Sequence, residues 1–216
     1  MVSDADRDAE RLIRELLAHE RPDDGLLGEE GSQAEGASGR RWVVDPLDGT
    51  TNYLYRFPMW VVSIALEDSA GVCVGVVYQP VRDELFSAIR SEGARLNGSP
   101  IAVSGVDRLD TALVATGFGY AADRRATQAR VLLEVLPRVR DIRRAGAAAL
   151  DLCMVACGRV DGYYERGLHA WDWAAGSLIA AEAGATVRPL EGEPFGLLAT
   201  VPAIADDLAA LVNRPI

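Results

Sequence analysis

Between Ser3 and His19 the apolar residues Ala9, Leu12, Ile13, Leu16 and Leu17 recur at the spacing of one helical face. Ser3 or Asp4 is placed to cap the start, and Pro22 lies just beyond the end. The apolar pair Leu26-Leu27 leads into Gly28-Glu29-Glu30, and residues 31–39, rich in Gly, Ser and Ala, read as a mobile surface loop. Trp42-Val43-Val44 predicts a buried strand that stops at Asp45-Pro46. Strand-like segments follow at 60–66, 72–79 and 84–90, with Pro80 and Asp83 at the second turn and Asn97-Gly98 marking a further hairpin before 101–103. From Leu113 the rhythm changes to strands at 112–116, 162–165, 186–187 and 199–201, alternating with helices at 127–136, 143–157, 173–183 and 204–212. The pattern predicts an antiparallel half (1–110) and an α/β half (111–216) sharing one interior, with no internal repeat.

Composition narrows the function. The 216 residues carry 22 basic and 32 acidic side chains, a net charge of −10, which argues against a nucleic-acid surface. All 22 basic residues are arginine, so a phosphate-loop lysine, a Schiff-base lysine and a kinase strand lysine are all excluded. The three cysteines, Cys73, Cys153 and Cys157, form no C-x-x-C pair and suit a reducing cytoplasm, and Cys153 and Cys157 read as packing residues. Two histidines, His19 and His169, cannot build a multi-histidine metal site. No apolar run reaches 18 residues, and the acidic start is unlike a secretory signal, so neither a membrane span nor export is expected.

One segment is not explained by packing. In Val44-Asp45-Pro46-Leu47-Asp48-Gly49-Thr50-Thr51-Asn52 a buried strand ends in a carboxylate, and a second follows three residues later with Pro46 stiffening the link. Gly-Thr-Thr-Asn then opens a helix whose first N–H groups suit phosphate oxygens. Carboxylates beside a phosphate site need cations between them, and ligands that are all oxygen suit Mg²⁺. A plain helix cap at Asp48 or Thr50 is the alternative. Glu29, and Asp172 in Trp171-Asp172-Trp173-Ala174-Ala175-Gly176, can complete the set. Taken singly, each reads as a solvated pair member or an N-cap.

The two motifs together resemble the signatures of the inositol monophosphatase family, Mg²⁺-dependent, lithium-sensitive phosphomonoesterases. The likeness runs from Val2 through Gly28-Glu29-Glu30 and Asn97-Gly98 to Tyr164-Glu165 and the second motif. The resemblance implies an α/β fold, layered as a sugar-phosphatase-type αβαβα sandwich, and a homodimer. It implies Glu29, Asp45, the Leu47 carbonyl and Thr50 around a first metal, and Asp45, Asp48 and Asp172 around a second. Asp6 would lie near a weaker third, and Mn²⁺ would substitute for Mg²⁺. Gly49, Thr50 and Thr51 would cradle the phosphate, while Gly146-Ala147-Ala148, Glu165 and Asp172 would approach the substrate ring. Catalysis would use Glu29, Thr50 and Asp45 to position and activate water, with Asp172 supporting the leaving alkoxide. Two departures stand out. The family's long helix and β-hairpin ahead of Val2 are missing, which predicts weaker metal binding, and Ala147 replaces a common Ser or Thr.

The preferred substrate is myo-inositol monophosphate, for which Glu165 speaks. Histidinol phosphate, fructose 1,6-bisphosphate and nucleotide 3′-phosphates are alternatives, and Arg166 could favour a second anionic group. Two readings from other classes remain. Gly117-Phe118-Gly119-Tyr120-Ala121-Ala122 after a strand, with Asp141 about 20 residues on, loosely matches a dinucleotide fingerprint. A non-catalytic or weakly active family member acting through partners is the other.

Overall fold

Ser3 caps the first helix, α1 (Asp4–Glu20), through a reciprocal box in which the Asp6 carboxylate accepts from the Ser3 N–H at 2.7 Å. The computed structural model describes residues 3–213. The side chains that α1 buries are Asp6 and Glu10, not its leucines: Leu12 and Leu16 are 56% and 55% exposed. The apolar spacing found the helix, and Ala9, Ile13 and Leu17 of that spacing are half-buried beside the two acids.

The first sheet is built from β1 (Gly25–Gly28), β2 (Gln33–Ala34), β3 (Arg41–Asp48), β4 (Val61–Asp68), β5 (Gly71–Gln79), β6 (Glu84–Ile89), β7 (Ala94–Leu96) and β8 (Ser99–Pro100). Its order is β2-β1-β3-β4-β5-β6-β7-β8, and every pairing is antiparallel except β1 beside β3. A short helix, α2 (Thr50–Leu54), links β3 to β4. Val43 and Val44, consecutive and on opposite faces of β3, are both fully buried, because α1 covers one face and a later helix the other. Asn97 and Gly98 take positive φ of 47° and 80°, as a two-residue hairpin of matching twist requires.

The second sheet comprises β9 (Leu113–Thr116), β10 (Asp141–Arg143), β11 (Gly162–Arg166), β12 (Thr186–Pro189) and β13 (Gly196–Thr200), in the order β10-β9-β11-β13-β12. β9 runs parallel to β10 and β11, and β13 runs antiparallel to β11 and β12. α3 (Ala122–Val135) and α6 (Ala205–Val212) pack on each other, with α6 against the outer face of this sheet.

Between the sheets lie α4 (Ala148–Ala156), buried along its whole length, and α5 (Ala170–Glu182). A helix as apolar as α4, whose one charged residue is Asp151, belongs in such a middle layer. Its small residues set the spacing. A Cβ on Gly176 would lie 2.8 Å from Leu152 Cβ, and one on Gly75 would lie 2.7 Å from the Ala175 carbonyl oxygen. At the far end of α5 the Glu182 carboxylate accepts from the N–H groups of Ser91 and Gly93, both at 2.8 Å. The result is the helix–sheet–helix–sheet–helix sandwich expected.

Several boundaries differ from the sequence reading. β3 does not stop at Asp45 but continues to Asp48. Residues 31–39 include β2, paired with β1. The helix expected over 143–157 is two elements, because Arg143 ends β10 and a turn with Gly146 at φ 89° separates it from α4. α3 and α5 begin at Ala122 and Ala170, ahead of their apolar runs. Residues 101–103 form no strand. Val2, where the likeness begins, lies outside the described residues.

Candidate metal and phosphate site

Asp45 and Asp48 stand three apart on one strand, and a regular strand would point them to opposite faces. The pairing of β3 with β4 resolves this: Asp45 faces Ser63 and Asp48 faces Val61, so β3 spends three steps where β4 spends two. That extra residue is a bulge, and it brings both carboxylates to one side. Pro46 sits inside the bulge, where its missing N–H costs no ladder bond. The Leu47 N–H donates to Asp45 Oδ1 at 3.0 Å, holding the carboxylate against the turn.

Glu29 reaches the same place from the end of β1. Its N–H donates to the Val44 carbonyl, while the neighbouring N–H groups of Glu30 and Ser32 donate to the buried Glu10 carboxylate of α1 at 2.9 and 3.0 Å. Asp6 performs a similar service one turn earlier. Thr50 Oγ1 lies 3.1 Å from both Asp6 Oδ1 and the Leu47 carbonyl, which fixes its hydroxyl. The polar inner face of α1 thus serves the site.

Gly49 precedes α2 at φ 95°, and a Cβ there would come within 2.9 Å of the Met59 carbonyl and 3.3 Å of Ala147 Cβ. Only glycine turns the chain from bulge to helix in that space. Asn52 ties α2 to the next wall by donating to the carbonyls of Met59 (2.6 Å) and Ala145 (2.8 Å). Beyond that turn, the Ala149 N–H at the start of α4 donates to Asp48 Oδ2 at 2.7 Å. Asp172, in the first turn of α5, accepts from the His169 N–H at 2.6 Å. Asp172 is thus not the N-cap, which is His169, but the third residue of α5, whose bond to the N-cap closes a capping box and leaves its place in the cavity intact.

These groups surround a cavity of about 260 Å³. Of the residues expected at the site, Glu29, Asp45, Leu47, Asp48, Gly49, Thr50, Gly146, Ala148, Glu165 and Asp172 line it, and Thr51 and Ala147 do not. Ala147 is buried against Gly49, and Thr51 Oγ1 is buried without a partner. Phe118, Gly119, Tyr120, Arg124, Arg144 and His169 also line the cavity, and the sequence reading gave them no such role. The Gly117-x-Gly119 loop belongs to this wall: a Cβ on Gly117 would collide with the Glu165 carboxylate, so the loop's glycines serve close packing and not a dinucleotide.

The electrostatics are those of crowded acids. Burial, then Asp48, then Glu29 and Asp172 hold the Asp45 carboxyl well above its ordinary range. Burial and Asp172 do the same for Asp48. Glu29 is pushed up to about 7, mainly by burial, while a hydrogen bond with Asp45 pulls the other way. Asp172 is raised chiefly by burial, and Glu165 rises to about 7 for the same reason, although Tyr163 Oη donates to it at 2.9 Å. Asp151, fully buried behind this wall with Oδ2 unpartnered, is also raised well above its range by burial.

Among the described residues no three carboxylate, imidazole or thiol groups stand close enough together to hold a metal ion as they are. The donor chemistry nevertheless fits a hard divalent cation: every candidate ligand is oxygen, four carboxylates border one cavity, and burial raises the pKa of each.

The family model for the inositol monophosphatase family matches residues 1–215. The chain belongs to the inositol monophosphatase family. It is 44% identical to the inositol-1-monophosphatase SuhB of Mycobacterium tuberculosis, an alignment spanning 99% of this chain and 78% of that protein. It is also 42% identical to the Nus factor SuhB of Escherichia coli, over 88% of this chain and 72% of that one. Among solved structures, the extragenic suppressor protein suhB from Bartonella henselae superposes with a TM-score of 0.94 at 42% identity, covering all of this chain and 87% of that one. Inositol monophosphatases are phosphoric monoester hydrolases, and the family is generally metal-dependent. No described helix is long and apolar enough to cross a membrane.

Proposed function

We propose that the protein hydrolyses a small phosphate monoester with the help of Mg²⁺, myo-inositol monophosphate being the substrate that its site suits best. The observation that carries this reading is the β3 bulge, which aims Asp45 and Asp48 at the cavity that Glu29 and Asp172 also line. Glu29, Asp45, Asp48, Asp172, the Leu47 carbonyl and Thr50 would hold the ions, and Mn²⁺ would serve in place of Mg²⁺. When bound, the ions supply positive charge to phosphoryl oxygens and make an attacking water more acidic.

The chain's own groups do the rest. Backbone N–H groups of Gly49 and Thr50, at the start of α2, bind phosphate oxygens, whereas Thr51 lies outside the cavity. Thr50, its hydroxyl proton directed at Asp6 and Leu47, and Glu29 orient the water, and Glu29 takes its proton once ionised. Asp172 steadies the departing alkoxide, Glu165 accepts from a substrate hydroxyl, and the turn at Gly146 and Ala148 bounds the ring. D45N or D172N should lower turnover by about a hundredfold or more, consistent with loss of charge stabilisation, while circular dichroism stays native. Near-normal phosphate release by either variant at saturating Mg²⁺ overturns the assignment.

The naming of the Escherichia coli relative as a Nus factor supports a second reading, a role exercised through protein partners. Phosphate release measured with and without Mg²⁺ separates the two. A cytoplasmic homodimer accords with three free cysteines and an exposed apolar run at Tyr53, Leu54, Tyr55 and Phe57. Light scattering tests the dimer.

A further inference from the structure

Arginines in this protein are mostly tied down: Arg7, Arg41, Arg90, Arg159 and Arg188 each meet a carboxylate within 3.0 Å. Two that line the cavity do not. Among the described residues, Arg124 and Arg144 make no salt bridge and no side-chain hydrogen bond, although Arg144 lies within electrostatic reach of Glu165 and Asp151. Arg166, the remaining arginine of that wall, is engaged, donating to the Pro194 carbonyl at 3.5 Å and to Asn213 Oδ1 at 3.2 Å.

The backbone makes room for the two unengaged groups. A Cβ on Gly119 or on Gly167 would collide with the Arg124 side chain, and a Cβ on Gly146 would collide with the Arg144 guanidinium. Gly146 and Gly167 hold φ of 89° and 87°, so these openings are part of the turns themselves. Arg124 runs along the loops that follow β9 and β11, both in the second half of the chain, whereas Glu29, Asp45 and Asp48 come from the first sheet.

Resting on the phosphatase reading above, we propose that Arg124 and Arg144 form a second anion subsite. That subsite revises the substrate of that reading: a phosphate monoester with a further anionic group, phosphate or carboxylate, at the end remote from the phosphoryl group that is cleaved is preferred over myo-inositol monophosphate. Planar guanidinium groups bind such oxygens with paired N–H donors, and two of them offset the repulsion that a doubly anionic ligand meets among these carboxylates.

The test compares hexitol 6-phosphate with hexitol 1,6-bisphosphate in a phosphate-release assay, and hexylphosphonate with hexane-1,6-diphosphonate by calorimetry. The wild type should favour the bisphosphate in kcat/KM at least tenfold, and R124A and R144A should each cut that preference at least fivefold. In the double variant the ratio should fall to about two, the count of phosphoryl groups. A ratio of two in the wild type, or one unmoved by the substitutions, overturns the subsite. A phospho-acid of the same length, used as a third substrate, distinguishes a carboxylate from a phosphate as the remote group. If no compound releases phosphate, the phosphatase reading fails, and the calorimetry decides the subsite alone. Tenfold tighter binding of the diphosphonate, lost in the double variant, upholds it, and equal binding of the two phosphonates overturns it.

Discussion

Burial and the neighbouring acids favour a proton on the Glu29 and Asp45 carboxyls, with Glu29 pushed up to about 7. A divalent cation entering the site must displace that proton. Calorimetric titration with Mg²⁺ at pH 6.5, repeated in buffers of different ionisation enthalpy, should therefore register proton release, with affinity rising as pH passes through about 7. The sign for stability is opposite. Carboxyls whose folded pKa lies above the unfolded value stabilise fully below the unfolded pKa, near 4.5 for Glu29 and Glu165, and that contribution is lost as pH rises through about 7. The metal-free protein should melt at a lower temperature at pH 8 than at pH 5. A Tm that rises over that interval would contradict the crowding described here. At this scale the sequence was informative about residue types and silent about pairing. The acids of D-P-x-D-G-T-T were legible because packing gives no reason for them, whereas Arg124 and Arg144 look like any surface arginines until the turns around them are seen.

Among the elements, α1 departs most from its sequence signal. Its apolar residues mark a helix, yet its fully buried residues are Asp6 and Glu10. Periodicity reports where apolar residues fall and cannot tell that a neighbouring turn offers N–H groups better matched by carboxylates. D6A would leave the Ser3 N–H without its acceptor and Thr50 Oγ1 without one of its two. Unmade bonds of this kind cost about 1–3 kcal/mol. Thermal unfolding should move down by several degrees, and kcat should fall with it because Thr50 loses its orientation. A D6A protein with native Tm and kcat would remove α1 from the account of the site. The β3 bulge teaches a related lesson. Strand propensity ended the strand at Asp45-Pro46, since proline breaks a ladder, but a bulge lets the strand continue to Asp48 and turns both acids the same way.

At the scale of the molecule, the alternation of element types gave the layered architecture; the first sheet ends with β8 and the second begins with β9 at Leu113. What the alternation could not give was which helices fill the middle. α4 and α5 belong to the second half yet α5 covers the inner face of the first sheet, so each half closes the other's core. We therefore expect residues 1–110, expressed alone, to remain unfolded or aggregate, and the two halves to unfold in a single transition in the full chain. Two separate calorimetric peaks, or a native-like spectrum from the 1–110 fragment, would show the halves to be independent.

α5 is a strut about 20 Å long fastened at both ends. Asp172 is pinned where the helix begins, and Glu182 grips the turn at Ser91 and Gly93 where it ends. A change in that distant hairpin would tilt the whole rod, and the tilt would be felt at the aspartate as a displaced charge. Evolution of the outer edge of the first sheet is thereby constrained by chemistry that it never touches.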